Sequence, residues 1–166
     1  MASTKTLDDL FYETLKDIYY AERKISKTLP KMARGAQDEK LKQAFLTHKE
    51  ETDGQIERLQ QVFELIGKRA RGKTCAAIEG IIEEGEEILE EFKGTPALDA
   101  GLLAAAQAVE HYEISRYGTL VAWAKQLGLK DAVKLLEETL AEESKTDGLL
   151  SDLASSAVNT AAKKAA

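Results

Sequence analysis

The stretch LLAAAQAVEHYEISRYGTL, residues 102–120, is rich in Ala, Leu and Glu and shows no alternation of period two. That composition favours helix. At 3.6 residues per turn, Leu102, Ala106, Glu110, Glu113, Tyr117 and Leu120 fall on one face. A face that begins and ends apolar belongs to a core, so Glu110 and Glu113 are carried inward with it. The helix therefore has carboxylates in its buried stripe.

Working outward, the chain reads as all-α, with five helices and no strand. The first spans about 6–34, with Thr6 and Asp9 spaced as a capping box and Pro30 placed to kink or loosen its last turn. The second spans about 38–66 and stops at Gly67. A shorter third covers about 75–92. The fourth, about 96–127, opens on Thr95-Pro96, an N-cap followed by proline at the first helical position, and stops at Gly128. The fifth covers about 131–154, and the tail 155–166 is expected to fray.

The same interruption recurs in the other long helices. Ile18, Glu22, Ile25 and Leu29 share a face in the first. Leu41, Phe45, His48, Glu51, Gln55, Leu59 and Val62 line up in the second. Leu136, Leu140, Glu143, Asp147, Leu150 and Ala154 do so in the fifth. The connection at 34–38 is short enough to make the first two helices an antiparallel hairpin, and Gly128 does the same for the last two. Glu22 and Glu51 lie about 14 or 15 residues from their turn, and Glu113 and Glu143 lie 15 from Gly128. At 1.5 Å per residue, both pairs sit about 22 Å from their own turns, at mid-height of the helices. Packing the hairpins together brings four carboxylates to one level. Such groups cannot all stay ionised in a dry core without compensation. Divalent metal ions supply it, and a carboxylate-rich site with one imidazole suits iron or manganese. The alternative is a protonated, hydrogen-bonded polar layer.

Composition narrows the classes of function. The 166-residue, 18.2 kDa chain has length for one domain with a real core. A net charge of −6 argues against nucleic acid as a main partner. Cys75 is the sole cysteine, no run reaches the length of a membrane span, and the N-terminus lacks a signal-peptide core, so a cytoplasmic location is expected. GKRARGKT, residues 67–74, has the spacing of a phosphate loop. It follows a helical stripe where a strand is required, so no nucleotide is expected and the segment reads as a basic linker.

The segments DIYYAERKI (17–25), AFLTHKEETDGQIERL (44–59), IEGIIEEG (78–85), AAAQAVEHYEISRYGTL (104–120) and LLEETLAEES (135–144) together resemble the YciF-type branch of the ferritin-like superfamily over about residues 5–155. The resemblance implies a ferritin-like four-helix bundle with the third helix as crossover, in a stress-associated protein that forms a homodimer. Related rubrerythrin-like proteins hold two irons, with Glu from each long helix, an extra Glu three residues earlier on the third bundle helix, and Glu-x-x-His motifs. By motif, Glu22, Glu51, Glu113 and Glu143 match the core ligands and Glu110 the extra carboxylate, with Glu51 and Glu143 bridging two iron or manganese ions. Gly54 and Thr146 stand where the histidines would be. His48, three before Glu51, is the available nitrogen, and Asp147, four after Glu143, is the replacement oxygen. The implied activity is oxidation of Fe(II) by oxygen or peroxide. The competing reading is a non-enzymatic stress protein that uses the bundle for dimerisation or partner binding.

Overall fold

The computed structural model describes residues 4–164, and these contain no strand. The long helices are α1 (Leu7–Gly35), α2 (Glu39–Leu65), α4 (Leu98–Gln126) and α5 (Lys130–Leu153), with the shorter α3 (Ala76–Glu91) between the pairs. α1 pairs with α2 and α4 with α5, and the two hairpins close into a bundle through α2 against α5 and α1 against α4. α3 is the crossover and lies over α1 and α4. Among the described residues, no helix is long and apolar enough to cross a membrane.

Local chemistry fixes most boundaries. Thr6 and Asp9 form the expected capping box, with Asp9 N–H donating to Thr6 Oγ1 at 3.2 Å and Thr6 N–H to Asp9 Oδ2 at 2.9 Å. Asp38 caps α2 by accepting from Leu41 N–H at 2.9 Å. Gly67 and Gly128 adopt φ of 66° and 71°, the left-handed conformation that ends α2 and α4. α1 continues past Pro30 to Gly35. The turn after it is pinned from another helix: Asp99 accepts the N–H groups of Gln37 and Asp38 at 2.8 and 2.7 Å.

Two boundary expectations are corrected. α4 begins at Leu98, with Thr95 and Pro96 in the preceding turn, because Leu98 N–H already bonds to the Thr95 carbonyl at 3.3 Å and Ala97 takes the cap position. The tail, expected to fray, is helical over its described part. The chain continues through a π-turn, Ala154–Val158, into α6 (Asn159–Lys164), and Val158 is 3% exposed in a contact region with α4. Burial of that one side chain supplies what composition alone did not signal; residues 165 and 166 lie outside the described part.

The loop at 67–74 is packed onto α1. Lys73 N–H donates to the Lys16 carbonyl at 3.1 Å and its ammonium approaches Glu13 at 3.4 Å. A Cβ on Gly72 would stand 3.1 Å from that of Tyr20, so the linker passes close over the helix. α2 precedes this loop, so the strand that a phosphate loop needs is absent from its described surroundings.

Candidate metal centre

The core is apolar from Phe11, Phe63 and Leu59 at one end to Phe45, Leu102 and Leu29 towards the other, with a polar layer between. α1 contributes Glu22, α2 His48, Thr52 and Gln55, α4 Glu110, Glu113 and Tyr117, and α5 Thr139 and Glu143, all buried. Glu22, Glu110, Glu113 and Glu143 have no measurable exposure. They enter the core because each sits on its helix between apolar residues of the same stripe.

His48, Glu110, Glu113 and Glu143 offer ligand atoms that all lie within 4.8 Å of one another. His48 Nδ1 is 3.1 Å from Glu110 Oε1, and Nε2 is 3.8 and 3.9 Å from oxygens of Glu143 and Glu113. Ligand bonds of about 2.0–2.6 Å put opposite donors of a divalent ion roughly 4–5 Å apart, so this group could hold a metal ion. Glu22 faces Glu113 within hydrogen-bonding reach and accepts a short hydrogen bond from the Tyr117 hydroxyl.

Electrostatics agree with that reading. Burial pushes the Glu22 carboxyl up to about 8, with repulsion from Glu143 adding to it. Burial likewise drives Glu110 up to about 12, with Glu143 beside it, and holds Glu113 and Glu143 above the usual carboxylate range. Desolvation lowers His48 to about 4, so its imidazole is neutral and able to ligate. Its short distance to Glu110 is therefore no ion pair at neutral pH. Both oxygens of Glu110, Glu113 and Glu143, one of Glu22, and His48 Nε2 are buried with no hydrogen-bond partner. An unpartnered buried polar atom costs about 1–3 kcal/mol, and here the cost is concentrated at one point. The donor set, carboxylates with one imidazole, fits a first-row divalent ion.

Not every expected residue joins this group. Glu51 is half-buried on the flank of α2 and accepts from the Thr146 hydroxyl at 3.2 Å. Thr52 takes the inward position, with its own hydroxyl turned back to the His48 carbonyl at 2.7 Å. The physical reason is register: measured from His48, residue 51 lies about 60° to one side and residue 52 about 40° to the other. Leu41, Phe45, Leu59 and Val62 centre the stripe on the Thr52 side. Asp147 is also half-buried and pairs with the exposed His111 at 3.1 Å, so it points to the bundle surface between α4 and α5.

Sequence reasoning missed the support around the layer. Arg58 joins α2 to α5 through Glu142, Glu138 at 3.0 Å and the Thr139 hydroxyl at 2.9 Å. Gln55 donates to the same Glu142 at 3.1 Å. Tyr117 supplies the donor to Glu22. Its place in the same stripe as Glu110 and Glu113 was the available signal.

The chain matches, over residues 6–163, the family model described as "Domain of unknown function (DUF892)". It is 49% identical over 163 residues to Protein YciF of Escherichia coli strain K12, covering 98% of both chains. The crystal structure of the E. coli stress protein YciF superposes with a TM-score of 0.89 at 50% identity, covering 94% of this chain and 99% of that one. YcfI from Rhodopseudomonas palustris superposes with a TM-score of 0.87 at 47% identity, covering 90% and 96%. With its bundle, its crossover helix and its matching length, this chain belongs to the DUF892 family, alongside relatives that include YciF.

Proposed function

We propose that the chain is a stress-associated, ferritin-like metalloprotein that binds two iron ions, or manganese in their place, in the mid-bundle layer. One observation carries the proposal: neutral His48 and the buried carboxylates of Glu110, Glu113 and Glu143 converge within 4.8 Å with their polar atoms unpartnered. These four would hold one ion. Glu22 and Glu113, which face each other, would contribute to a second, with Glu51 reaching it only by turning in from the flank. Bound iron would supply the electrons for reduction of dioxygen or peroxide.

The chain's own residues set the conditions for that chemistry. The helices bury the acids of the layer, Tyr117 fixes one oxygen of Glu22, and the Arg58–Glu142 contact holds α5 and Glu143 against α2. A homodimer is the proposed assembly, on the family resemblance, and light scattering at tens of micromolar checks it.

Metal analysis of protein purified without chelators tests the reading. About two ions of iron or manganese per chain are expected by analogy with carboxylate bundles. Protein that takes up neither metal, with a thermal midpoint unmoved by Fe(II) or Mn(II), would leave the layer as structure only. A second reading has its own support. Thr146 bonds to Glu51 where the rubrerythrin pattern has a histidine, which favours a protein that holds metal, or merely the fold, without turnover.

A further inference from the structure

α3 does not seal the groove between α1 and α4 completely. Beneath it lies a cavity of about 40 Å³, roughly three times the ~10–15 Å³ that a single water needs. Ile25, Leu29 and Met32 of α1, Ile82 and Gly85 of α3, and Ala106 of α4 are among its walls. α3 crosses closely at Gly85, where a Cβ would come within 3.4 Å of Ala105 and 3.6 Å of Met32. Its outer rim includes the half-buried Ile81, Ala105 and Val109, and it is not closed off from solvent.

His48 also lines the cavity; it is 3% exposed and its Nε2 is unpartnered. One side chain therefore belongs both to the cavity wall and to the proposed metal-binding group. Thr28 is the other polar lining residue, and its hydroxyl proton is donated to the Lys24 carbonyl at 2.9 Å, leaving only its acceptor capacity. Apart from His48 and the Thr28 oxygen, the named walls are apolar side chains and glycine. A polar guest such as water or hydrogen peroxide could pair at these two groups alone, at a cost of about 1–3 kcal/mol for each of its groups left unpaired. A small apolar molecule loses nothing.

We infer that this cavity is a binding pocket for dioxygen, delivering it to the carboxylate layer past His48 from the α3 side. The inference rests on the metal-binding reading above and names the oxidant that the site takes: an apolar diatomic gas in preference to peroxide. Charged or polar oxidants would have to approach by another wall of the bundle.

Xenon is the probe for the pocket itself, since it reports a small apolar void in the full-length protein with no metal added. Xenon-pressurised crystals, or xenon NMR in solution, should place one atom among Ile25, Ile82 and Ala106. Ala106→Leu, which fills the void, and Val109→Phe at the rim should each abolish that occupancy; the second keeps the test open should the first fail to fold. In Fe(II)-loaded protein, either folded variant should slow oxidation by dioxygen by about tenfold. Oxidation by hydrogen peroxide and the metal content should stay at the wild-type level. No xenon in the wild-type cavity would overturn the inference, as would a dioxygen rate unchanged in both variants or equal losses with both oxidants. Failure of metal to bind would instead overturn the metal reading, and it would do so while the xenon result stood on its own.

Discussion

The two walls of the bundle that flank the polar layer are built in opposite ways. The α1–α4 wall is roofed by α3, carries Glu22, Glu110, Glu113 and Tyr117, and is backed by an apolar cavity. The α2–α5 wall lies away from α3, which packs on α1 and α4, and is tied by ionic and hydrogen-bonded contacts, chiefly Arg58 to Glu142 and Glu138. The difference teaches how a bundle can keep several carboxylates buried. The roofed wall has apolar cover and supplies the strongly perturbed acids. The open wall spends its polar groups on one another and supplies the neutral imidazole and Glu143.

The comparison breaks most visibly if an inward acid proves no different from a flanking one. Glu113→Ala should abolish tight metal binding, and with it about 3 kcal/mol of stabilisation at metal concentrations near 100 times Kd. Glu51→Ala, on the open wall's flank, should weaken binding without abolishing it. Isothermal titration with Mn(II) decides the matter, and equal losses in both variants would refute the distinction. In metal-free protein Glu113→Ala should be neutral or stabilising, because it removes a repelling neighbour of Glu22 and Glu143.

Next in size is the pH response of metal-free protein. The folded Glu22 carboxyl lies near 8 against an unfolded value of 4.5, so the unfolded state releases its proton first. Stability from that group is complete below 4.5 and is lost as pH rises to about 8, at about 1.4 kcal/mol per pH unit. His48, lowered from 6.5 to about 4, acts in the opposite direction and only below 6.5. Between pH 6.5 and 8 the acids act alone, and Glu22 by itself should cost about 2 kcal/mol. Urea melts at both ends of that window measure it. Metal-loaded protein should show the reverse slope, since ligation requires the deprotonated acids. A flat metal-free profile would mean that the roofed wall is wetter than its burial implies.

Cutting the open wall's tie should cost less. Arg58→Ala removes contacts to Glu142, Glu138 and Thr139 and should destabilise by about 1.5 kcal/mol, the worth of a charge-assisted bond at a partly covered position. The loss should fall at high salt. A chemical melt in low and high salt reads both. The smallest effect belongs to His111→Ala. Its partner Asp147 faces the surface, the imidazole side chain is 69% exposed, and such pairs are worth about 0–1 kcal/mol. Metal content should not change; a loss of bound metal would return Asp147 to the ligand set.

How much was legible in the sequence also divides between the walls. Along α4, apolar residues stand on both sides of Glu110 and Glu113, and Leu102, Ala106, Tyr117 and Leu120 fix the phase, so the inward turn of both acids was readable. Along α2, the stretch KEETDGQ from 49 to 55 has no apolar residue to set the phase, and a step of one residue separates Glu51 from Thr52. The choice is made by packing against α5, which a single-helix pattern does not contain. Asp147 fails for a related reason: His111 waits on the neighbouring helix, and only the inter-helix register reveals it. The Arg58–Glu142 tie lies wholly in that register. By contrast the two hairpins, the crossover and the common level of Glu22, Glu113 and Glu143 follow from turn positions and helix rise.

Asp99 has a bearing on how the molecule assembles. Its carboxylate terminates a turn more than sixty residues earlier in the chain by accepting the N–H groups of Gln37 and Asp38, while Gln37 reaches back to the Thr95 carbonyl at 2.8 Å. The first hairpin by itself therefore lacks the acceptor for these two N–H groups. Its turn acquires these acceptors only when the start of the second hairpin has been synthesised and docked. Two helices joined by a short connection would otherwise be free to form and melt by themselves. This one shared carboxylate couples their turn to the other half of the bundle.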